Sequence, residues 1–287
     1  MIAATTQAKV TRQRTVAYLG LSVLGACIGI LFLTPLWWTF VNSLRPGSDT
    51  FRYLNPLEWE TFFTATPSLD NYAALLRSDL GLATLNSIIV SGITVVVGLA
   101  ICSMAAFALA AIPFRGSGIV FVAVVVSFLI PFDAIAIPLA NLFRDWNLQN
   151  TYAGLILPGL GNGMAIFLLR TFFLAIPKDL VEAGRLDGLG WWGIFRRIYL
   201  PLSAPSLIGA GLTLFLFQWQ SYVWPLLNGT DSQHILGPIA LSNMQGQFNV
   251  DYGVMFAGSM VLTLIPLAII IAFQRYFIQS VSTTGLK

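Results

Sequence analysis

Charged residues are scarce in this sequence. Asp, Glu, Lys and Arg make up 9% of its 287 residues, whereas an ordinary soluble domain contains about 25%. Lys and Arg outnumber Asp and Glu by only 15 to 12, so the chain lacks the basic surface that nucleic-acid binding requires. Because 56% of the residues are hydrophobic and the mean hydropathy is +0.78, we expect a polytopic membrane protein in contact with lipid.

Residues that build metal, redox and disulfide sites are also few. The two cysteines, Cys27 and Cys102, lie in separate apolar runs, which excludes a disulfide framework and a CxxC pair. We interpret both as small core residues. The single histidine, His234, excludes an HExxH zinc site and any histidine cluster, so we predict no metal site in this chain.

Six apolar runs are long enough to cross a bilayer, whose core of about 30 Å needs about 20 residues per helix. The fourth run contains Pro158 and several glycines, which predicts a kinked helix. Residues 1–15 precede the spans, the transmembrane region covers 16–277, and residues 278–287 form a tail. The predicted fold class is all-α, with six transmembrane helices at about 16–41, 82–111, 117–139, 151–174, 204–227 and 252–274.

The first apolar run raises the question of a cleaved leader. Leu24 to Cys27 resembles a lipoprotein cleavage box, but the run continues to Val41, which favours an uncleaved anchor. If the N-terminus is cytoplasmic, 11 of the 15 Lys and Arg residues lie inside, so the positive-inside rule predicts that both termini are cytoplasmic. The outer segment 42–80 mixes acidic residues with Trp59, Phe62 and Phe63, as expected of an amphipathic stretch on the outer face.

The loop between the fourth and fifth runs, residues 176–203, has the densest charge in the chain. Pro177 and the acidic residues after it predict the start of a helix, which Gly188 and Gly190 end. A second helix over about 191–199 is predicted to end at Pro201, with an apolar stripe of Trp191, Phe195, Ile198 and Tyr199. We predict a projecting helix-turn-helix that a soluble partner could move; the alternative is an ordinary connecting loop.

This loop resembles a known motif. Glu182-Ala-Gly-Arg-Leu-Asp187-Gly188, with Ile198-Tyr-Leu200-Pro201 after it, is similar to the EAA loop of ABC importer permeases. The resemblance extends to the carbohydrate-uptake branch, in particular to six-span permeases like the second membrane subunit of the maltose importer. It rests on Ser43-Leu-Arg-Pro, Pro67 to Tyr72, Asn86-Ser87, Asn150 to Ile156 and Gln274 to Phe277. Two departures are Gly184 in place of the second Ala and the tail ending at Leu286-Lys287.

The resemblance implies a type I ABC importer permease in a bacterial or archaeal cytoplasmic membrane. A second permease would complete the path as a heterodimer, an extracytoplasmic binding protein would deliver a sugar or polyol, and an ATPase dimer would bind ATP and Mg. This chain would be a transport subunit and not an enzyme, and it contains no GxxxxGK[ST] sequence. The implied ATPase-coupling residues are Glu182, Ala183, Gly184, Asp187, Gly188, Leu200 and Pro201.

The role of the acids differs within that set. Glu182 would pair with a basic residue of the ATPase cleft, and Asp187 and Gly188 would shape the turn. Locally, Asp187 could equally be a satisfied turn acid.

Polar residues inside the runs are candidates for the translocation path. Asp133, between Pro131 and Pro138, should face a cavity or a partner at a broken helix, or else lie at the outer interface. In the fifth run, aromatic rings beside amides could contact both the apolar CH faces and the hydroxyl groups of a sugar. That set is Gln218, Trp219, Gln220 and Tyr222. The alternative is an interfacial aromatic belt of Trp219, Tyr222 and Trp224.

Other function classes remain open at this point. An intramembrane enzyme would need a paired base or acid near Asp133, and a self-sufficient secondary transporter would need internal repeats and several ion ligands. The sequence shows neither convincingly. No Lys or Arg lies deep in a run, which favours a neutral solute over a phosphorylated one.

Overall fold

The computed structural model of the protein describes residues 2–245 and 250–282, with side chains for residues 18–245 and 250–275. The described residues form helices joined by turns, and no β-strand occurs among them. The predicted all-α class is therefore confirmed. Contacts divide the chain into two units: the first combines residues up to Leu75 with residues 250–260, and the second combines Leu76 to residue 245 with Val261 onwards.

The first unit is built on a long helix, α1, which spans Ile2–Ser43. In the apolar part of this helix, Tyr18–Ser43, the side chains up to Phe40 are exposed or partly exposed within the chain and are available to lipid or a partner, whereas Val41, Asn42 and Ser43 are buried. The exposed residues include Cys27, so our interpretation of Cys27 as a core residue is wrong. The predicted segment 1–15 is helical from Ile2 onwards, but its side chains lie outside the described ones.

A folded segment follows α1 within the first unit. It contains two short 3-10 helices, Gly47–Asp49 and Trp59–Thr61, and leads into helix α2, Asp70–Arg77. The Asn71 amide donates to the carbonyl oxygens of Ser43 (2.8 Å) and Arg45 (2.6 Å), and the hydroxyls of Ser43 and Tyr72 lie 2.7 Å apart. These bonds hold the Ser43-Leu-Arg-Pro segment and the segment from Pro67 to Tyr72 against each other.

The second unit has a core of three helices. α3 (Asp79–Ala111) packs along α7 (Gly163–Leu174) and α11 (Ala204–Trp219), and α7 also contacts α11. Small side chains at the crossings let the helices approach closely. Cys102 is among the fully buried residues there, as predicted, together with Ala106, Ala165, Leu169, Ala210 and Leu214.

Proline and glycine break the third and fourth runs. Helix α4 (Ser117–Leu129) meets α5 (Phe132–Asp145) at 94°, with Pro131 at the break. The broken helix predicted around Asp133 is present, with its break at Pro131, whereas Pro138 lies inside α5. In the fourth run, α6 (Tyr152–Ile156) with the 3-10 turn Leu157–Gly159 meets α7 at 43°, which confirms the predicted kink.

The fifth run ends earlier than predicted. α11 stops at Trp219, residues 220–222 are not helical, and a short helix, α12, covers Val223–Asn228. The chain then forms α13 (Gly237–Met244) and α14 (Tyr252–Ser282). α14 therefore runs past residue 277, and the part of the predicted tail from 283 to 287 lies outside the described residues.

Membrane crossing can now be counted on the described residues. Three helices are each long and apolar enough to cross a bilayer, Tyr18–Ser43, Asp79–Ala111 and Tyr252–Arg275. The count rises to six if each bent helix pair is one span. This equals the number of predicted runs, but the third pair joins Trp191–Leu202, part of the predicted loop 176–203, to the helix Ala204–Trp219. The number of spans is therefore three to six by length and composition.

Candidate functional site

The loop between α7 and α11 is a helix-turn-helix. Helix α8 (Lys178–Leu186) is followed by a continuous helical stretch over Trp191–Leu202, here called the coupling-loop second helix, which includes a π-helical turn at Phe195–Tyr199. Pro201 does not end this helix, contrary to our prediction, because it occupies the first turn of a new α-helical segment, where no N–H donor is needed. The stretch ends at Ser203, where it meets α11 at 84°.

The turn after α8 depends on Gly188. Its φ of +80° lies in the left-handed region that favours glycine. The amide of Gly188 donates to the Arg185 carbonyl (3.0 Å) and the amide of Leu189 to the Gly184 carbonyl (2.9 Å), as in a glycine C-cap. Backbone bonds therefore close the turn, and the exposed carboxylate of Asp187 is left facing solvent.

Gly184 is the buried contact between the two helices of the loop. A Cβ added to it would lie 2.8 Å from Ile198 Cδ1 and 3.5 Å from Leu189 Cδ1. Since ordinary carbon contacts are about 3.5–4.0 Å, glycine permits an approach that alanine would oppose. The departure of this residue from the EAA pattern thus has a packing reason in this chain.

Aromatic rings attach the coupling-loop second helix to the core. The Phe107 ring of α3 lies 4.8 Å from Tyr199, 5.1 Å from Phe195 and 6.3 Å from Trp191. Phe173 of α7 also contacts Tyr199, with centroids 5.3 Å apart. The predicted apolar stripe is therefore the buried face of the loop, and it holds the loop against two core helices.

The opposite side of the loop is exposed. Glu182, Ala183, Asp187 and Gly188 are on it, and Leu186 is 90% exposed. Leu180 and Trp192 are exposed as well. Of the two remaining predicted coupling residues, Pro201 is exposed and Leu200 packs partly against the core. The loop thus presents acids and apolar side chains together, which suits docking onto another protein.

Asp133 lies at the start of α5, directly after the break at Pro131. Its side chain is exposed within this chain. A carboxylate in the first turn of a helix interacts favourably with the helix dipole. That a partner or a cavity faces the Asp133 carboxylate stays a prediction.

Gln218 and Trp219 are buried at the end of α11. The Trp219 indole N–H donates to the Leu262 carbonyl (3.1 Å), and its ring stacks on Phe215. A Cβ added to Gly159 would lie 2.6 Å from Gln218 Oε1, so Gln218 packs against the break of the fourth run. Trp219 also lines a cavity of about 460 Å³ between α3, α11 and α14, whose lining is apolar and offers a sugar no hydrogen bonds.

The other residues of this group have different surroundings. Gln220 is exposed, and the exposed Tyr222 has its hydroxyl 3.0 Å from that of Ser242. Trp224 is buried, and its indole N–H donates to the Gly154 carbonyl (3.0 Å). Because Trp219 and Trp224 are both buried, the aromatic-belt alternative fits Tyr222 alone.

Sequence reasoning missed the roles of three asparagines. Asn86 is fully buried: its amide donates to the carbonyls of Gln233 (2.7 Å) and Ile235 (3.1 Å), and it accepts from Tyr152 (2.7 Å). Asn150 Oδ1 accepts from the Thr230 amide (2.7 Å), and Asn228 is buried beside them. A buried amide in an apolar run is costly unless it is hydrogen-bonded, and that signal could have indicated Asn86 as a residue that holds the 228–237 segment. The side-chain amide of Asn228, in contrast, has no hydrogen-bond partner in the part of the chain that the structure describes.

Metal ligands are not gathered in the part of the chain that the structure describes. No group of three His, Cys, Asp or Glu side chains there is placed to hold an ion.

Comparison with known proteins identifies the family. The profile described as "Binding-protein-dependent transport system inner membrane component" matches residues 98–283. The chain is 34% identical to the arabinooligosaccharides transport system permease protein AraQ of Halalkalibacterium halodurans, over 91% of this chain and 94% of that protein. It is 32% identical to the trehalose transport system permease protein SugB of Mycobacterium tuberculosis, over 89% of this chain and 92% of that protein.

A solved structure shares the fold. A chain of a bacterial ABC transporter involved in the import of the acidic polysaccharide alginate superposes with a TM-score of 0.79 at 22% identity. The match covers 93% of this chain and 98% of that chain. The predicted ABC importer permease fold is therefore confirmed.

Proposed function

The chain belongs to the family of inner membrane components of binding-protein-dependent transport systems, and we propose that it is one of two permease subunits of an ATP-driven sugar or polyol importer. It forms half of the translocation path, and the second permease forms the other half. An external binding protein delivers the solute. ATP hydrolysis, with its Mg, takes place on two ATPase subunits. Family membership favours this function over the intramembrane enzyme and the secondary transporter.

The observation that carries this proposal is the construction of the loop between α7 and α11, residues 176–203, here called the coupling loop. Its two helices pack through Gly184, and its aromatic stripe is fixed on α3 and α7. Its exposed side carries Glu182 and Leu186. A displacement imposed on α8 by a docked ATPase would therefore pass to the core helices through packed side chains, as in other rigid-body transitions.

Orientation follows from this role. The coupling loop must lie in the cytoplasm, where ATP is available, and the excess of Lys and Arg on that side agrees. Both termini are then cytoplasmic, in a bacterial or archaeal cytoplasmic membrane.

The solute is a neutral carbohydrate or polyol. The relatives named above transport arabino-oligosaccharides and trehalose, and no Lys or Arg lies deep in an apolar run. Gln218 and Trp219 are buried within this chain, so the partner permease supplies most of the solute contacts. Uptake assays with neutral oligosaccharides, polyols and sugar phosphates as competitors test this; inhibition by sugar phosphates alone would contradict it.

The coupling role is tested by altering the loop without disturbing the core. Gly188→Pro forces a φ near −65° onto a residue at +80°, and Glu182→Ala removes an exposed acid. Both variants should insert normally and lose solute uptake in vesicles, with hydrolysis no longer stimulated by solute and binding protein.

Gly190→Ala is the matched control. Gly190 has a φ of −74° and no atom within 4 Å of an added Cβ, so alanine fits there without strain. It should keep full uptake. Normal uptake and normal stimulated hydrolysis in both Gly188→Pro and Glu182→Ala would reject the coupling assignment.

A further inference from the structure

A row of exposed apolar side chains follows α1 in the first unit. Leu57 is 68% exposed, Trp59 65% and Phe63 55%. Exposed apolar groups of this size, close together, mark a surface that contacts something other than water. The segment 51–63 that carries them is here called the post-α1 segment.

The post-α1 segment is held in place by its backbone. The Arg45 guanidinium is 3% exposed and donates to the Phe63 carbonyl at 2.6 Å. The Thr61 hydroxyl donates to the Tyr53 carbonyl, and the Glu58 amide donates to the same oxygen at 3.1 Å. Burial lowers the pKa of Arg45 from its ordinary value, yet a guanidinium remains charged at neutral pH. These bonds fix the backbone of the segment, and the fixed backbone keeps the apolar side chains exposed.

The segment is tied to α1 at a defined depth. The Trp37 indole N–H donates to the Phe62 carbonyl at 2.9 Å, and the rings of Trp37 and Phe63 are 6.2 Å apart. The apolar run in α1, predicted over about 16–41, has 26 residues, which at 1.5 Å per residue is about 39 Å, or about 9 Å more than the hydrocarbon core. Twenty residues counted from Val16 reach Pro35, so Trp37, two residues further on, lies near the edge of that core.

We propose that the post-α1 segment lies in the membrane interface beside the Ser43 end of α1, with Leu57, Trp59 and Phe63 inserted at the boundary between phospholipid headgroups and acyl chains. Apolar groups of interfacial segments enter the bilayer by about 5–10 Å. This agrees with the bond between the segment and Trp37, which lies near the edge of the hydrocarbon core. Trp is also enriched at this boundary in membrane proteins.

The charge of the segment indicates the kind of lipid. Residues 51–63 contain one Arg and two Glu, with no Lys. Such a segment is not attracted to anionic headgroups, so insertion depends on apolar contact, and zwitterionic phosphatidylcholine suffices. This proposal is independent of the solute and of the coupling loop.

The test uses the assembled transporter in phosphatidylcholine vesicles, on a Cys27→Ser background because Cys27 is the exposed native thiol. An environment-sensitive fluorophore is attached to Leu57→Cys or Trp59→Cys, in variants that retain uptake. Ser232→Cys, in an exposed polar loop, is the matched control.

Quenching by lipids brominated near the headgroup should be several-fold stronger at positions 57 and 59 than at 232, and weaker with bromine at the chain ends. Quenching by aqueous iodide alone would place the segment in water and overturn the proposal. Protection from both quenchers would show that a protein partner covers it, and would overturn the proposal equally.

Discussion

Replacing Gly184 by alanine tests the packing of the coupling loop in isolation. In a helix interior, Gly→Ala ordinarily stabilises by about 0.5–1 kcal/mol. Here the new Cβ would lie 2.8 Å from Ile198 Cδ1, so the Ile198 side chain must leave its present position or the two helices must move apart, in a contact that Leu189 and Ile194 also fill. Overpacking of this kind costs about 1–3 kcal/mol. The cost exceeds the gain, and Gly184→Ala should lower the stability of the assembled transporter.

Ile198→Val removes the Cδ1 atom that causes the conflict. The variant alone should cost about 0.5–1.5 kcal/mol. In its presence the nearest remaining contact of the new Cβ is Leu189 Cδ1 at 3.5 Å, an ordinary separation. Gly184→Ala should then be neutral or stabilising, so the two changes should be coupled by about 1–3 kcal/mol.

Thermal midpoints of the purified complex in one detergent measure this, with solute uptake per ATP hydrolysed followed in parallel. The midpoint of Gly184→Ala should fall below wild type, and Gly184→Ala/Ile198→Val should match or exceed Ile198→Val. An equal fall on both backgrounds, or a rise on the wild-type background, would refute the idea that Gly184 is needed for close approach.

Three further predictions concern other parts of the chain. Asp133→Asn should reduce uptake modestly and keep its dependence on ATP, because an amide keeps the hydrogen-bond acceptor, whereas Asp133→Leu should reduce uptake further. Equal and complete loss in both variants, or uptake driven by an imposed proton gradient without ATP, would contradict an orienting role. Cysteine at the exposed position 220 should react with an external reagent in one nucleotide state only, whereas cysteine at the buried position 219 should react weakly; inertness of position 220 in every state would exclude it from the path. Asn86→Leu should lower the thermal midpoint by removing three hydrogen bonds, each worth about 1 kcal/mol; an unchanged midpoint would show that residues 228–237 are held by other contacts.

The apolar runs and the positions of glycine and proline in the sequence predicted most of the fold. Apolar runs placed the helices, and glycine and proline placed the kink near Pro158 and the turn at Gly188. Burial of single residues was harder to predict. Cys27 and Cys102 both lie in apolar runs, but only Cys102 is buried, because lipid accepts the same side chains that a core does.

The candidate site divides in the same way. The coupling loop could be predicted because its chemistry is local: charge, helix ends and an apolar stripe lie within 28 residues, 176–203. The surroundings of the predicted path residues could not be inferred from the sequence, because they come from distant parts of the chain. Leu262 satisfies the Trp219 indole, and Gly159 packs against Gln218.

The end of α11 shows why a polar group in an apolar run does not by itself indicate a solute site. The amide of Gln218 and the indole of Trp219 are both costly against lipid. Folding offsets the cost of the Trp219 indole by a hydrogen bond to the Leu262 carbonyl of α14, and it takes Gln218 out of contact with lipid by packing it against Gly159 at the break of the fourth run. Gln220, one residue later, has no such burial. Of the three, Gln220 is therefore the residue whose amide must find its hydrogen-bond partners outside this chain, in solute, water or the partner permease.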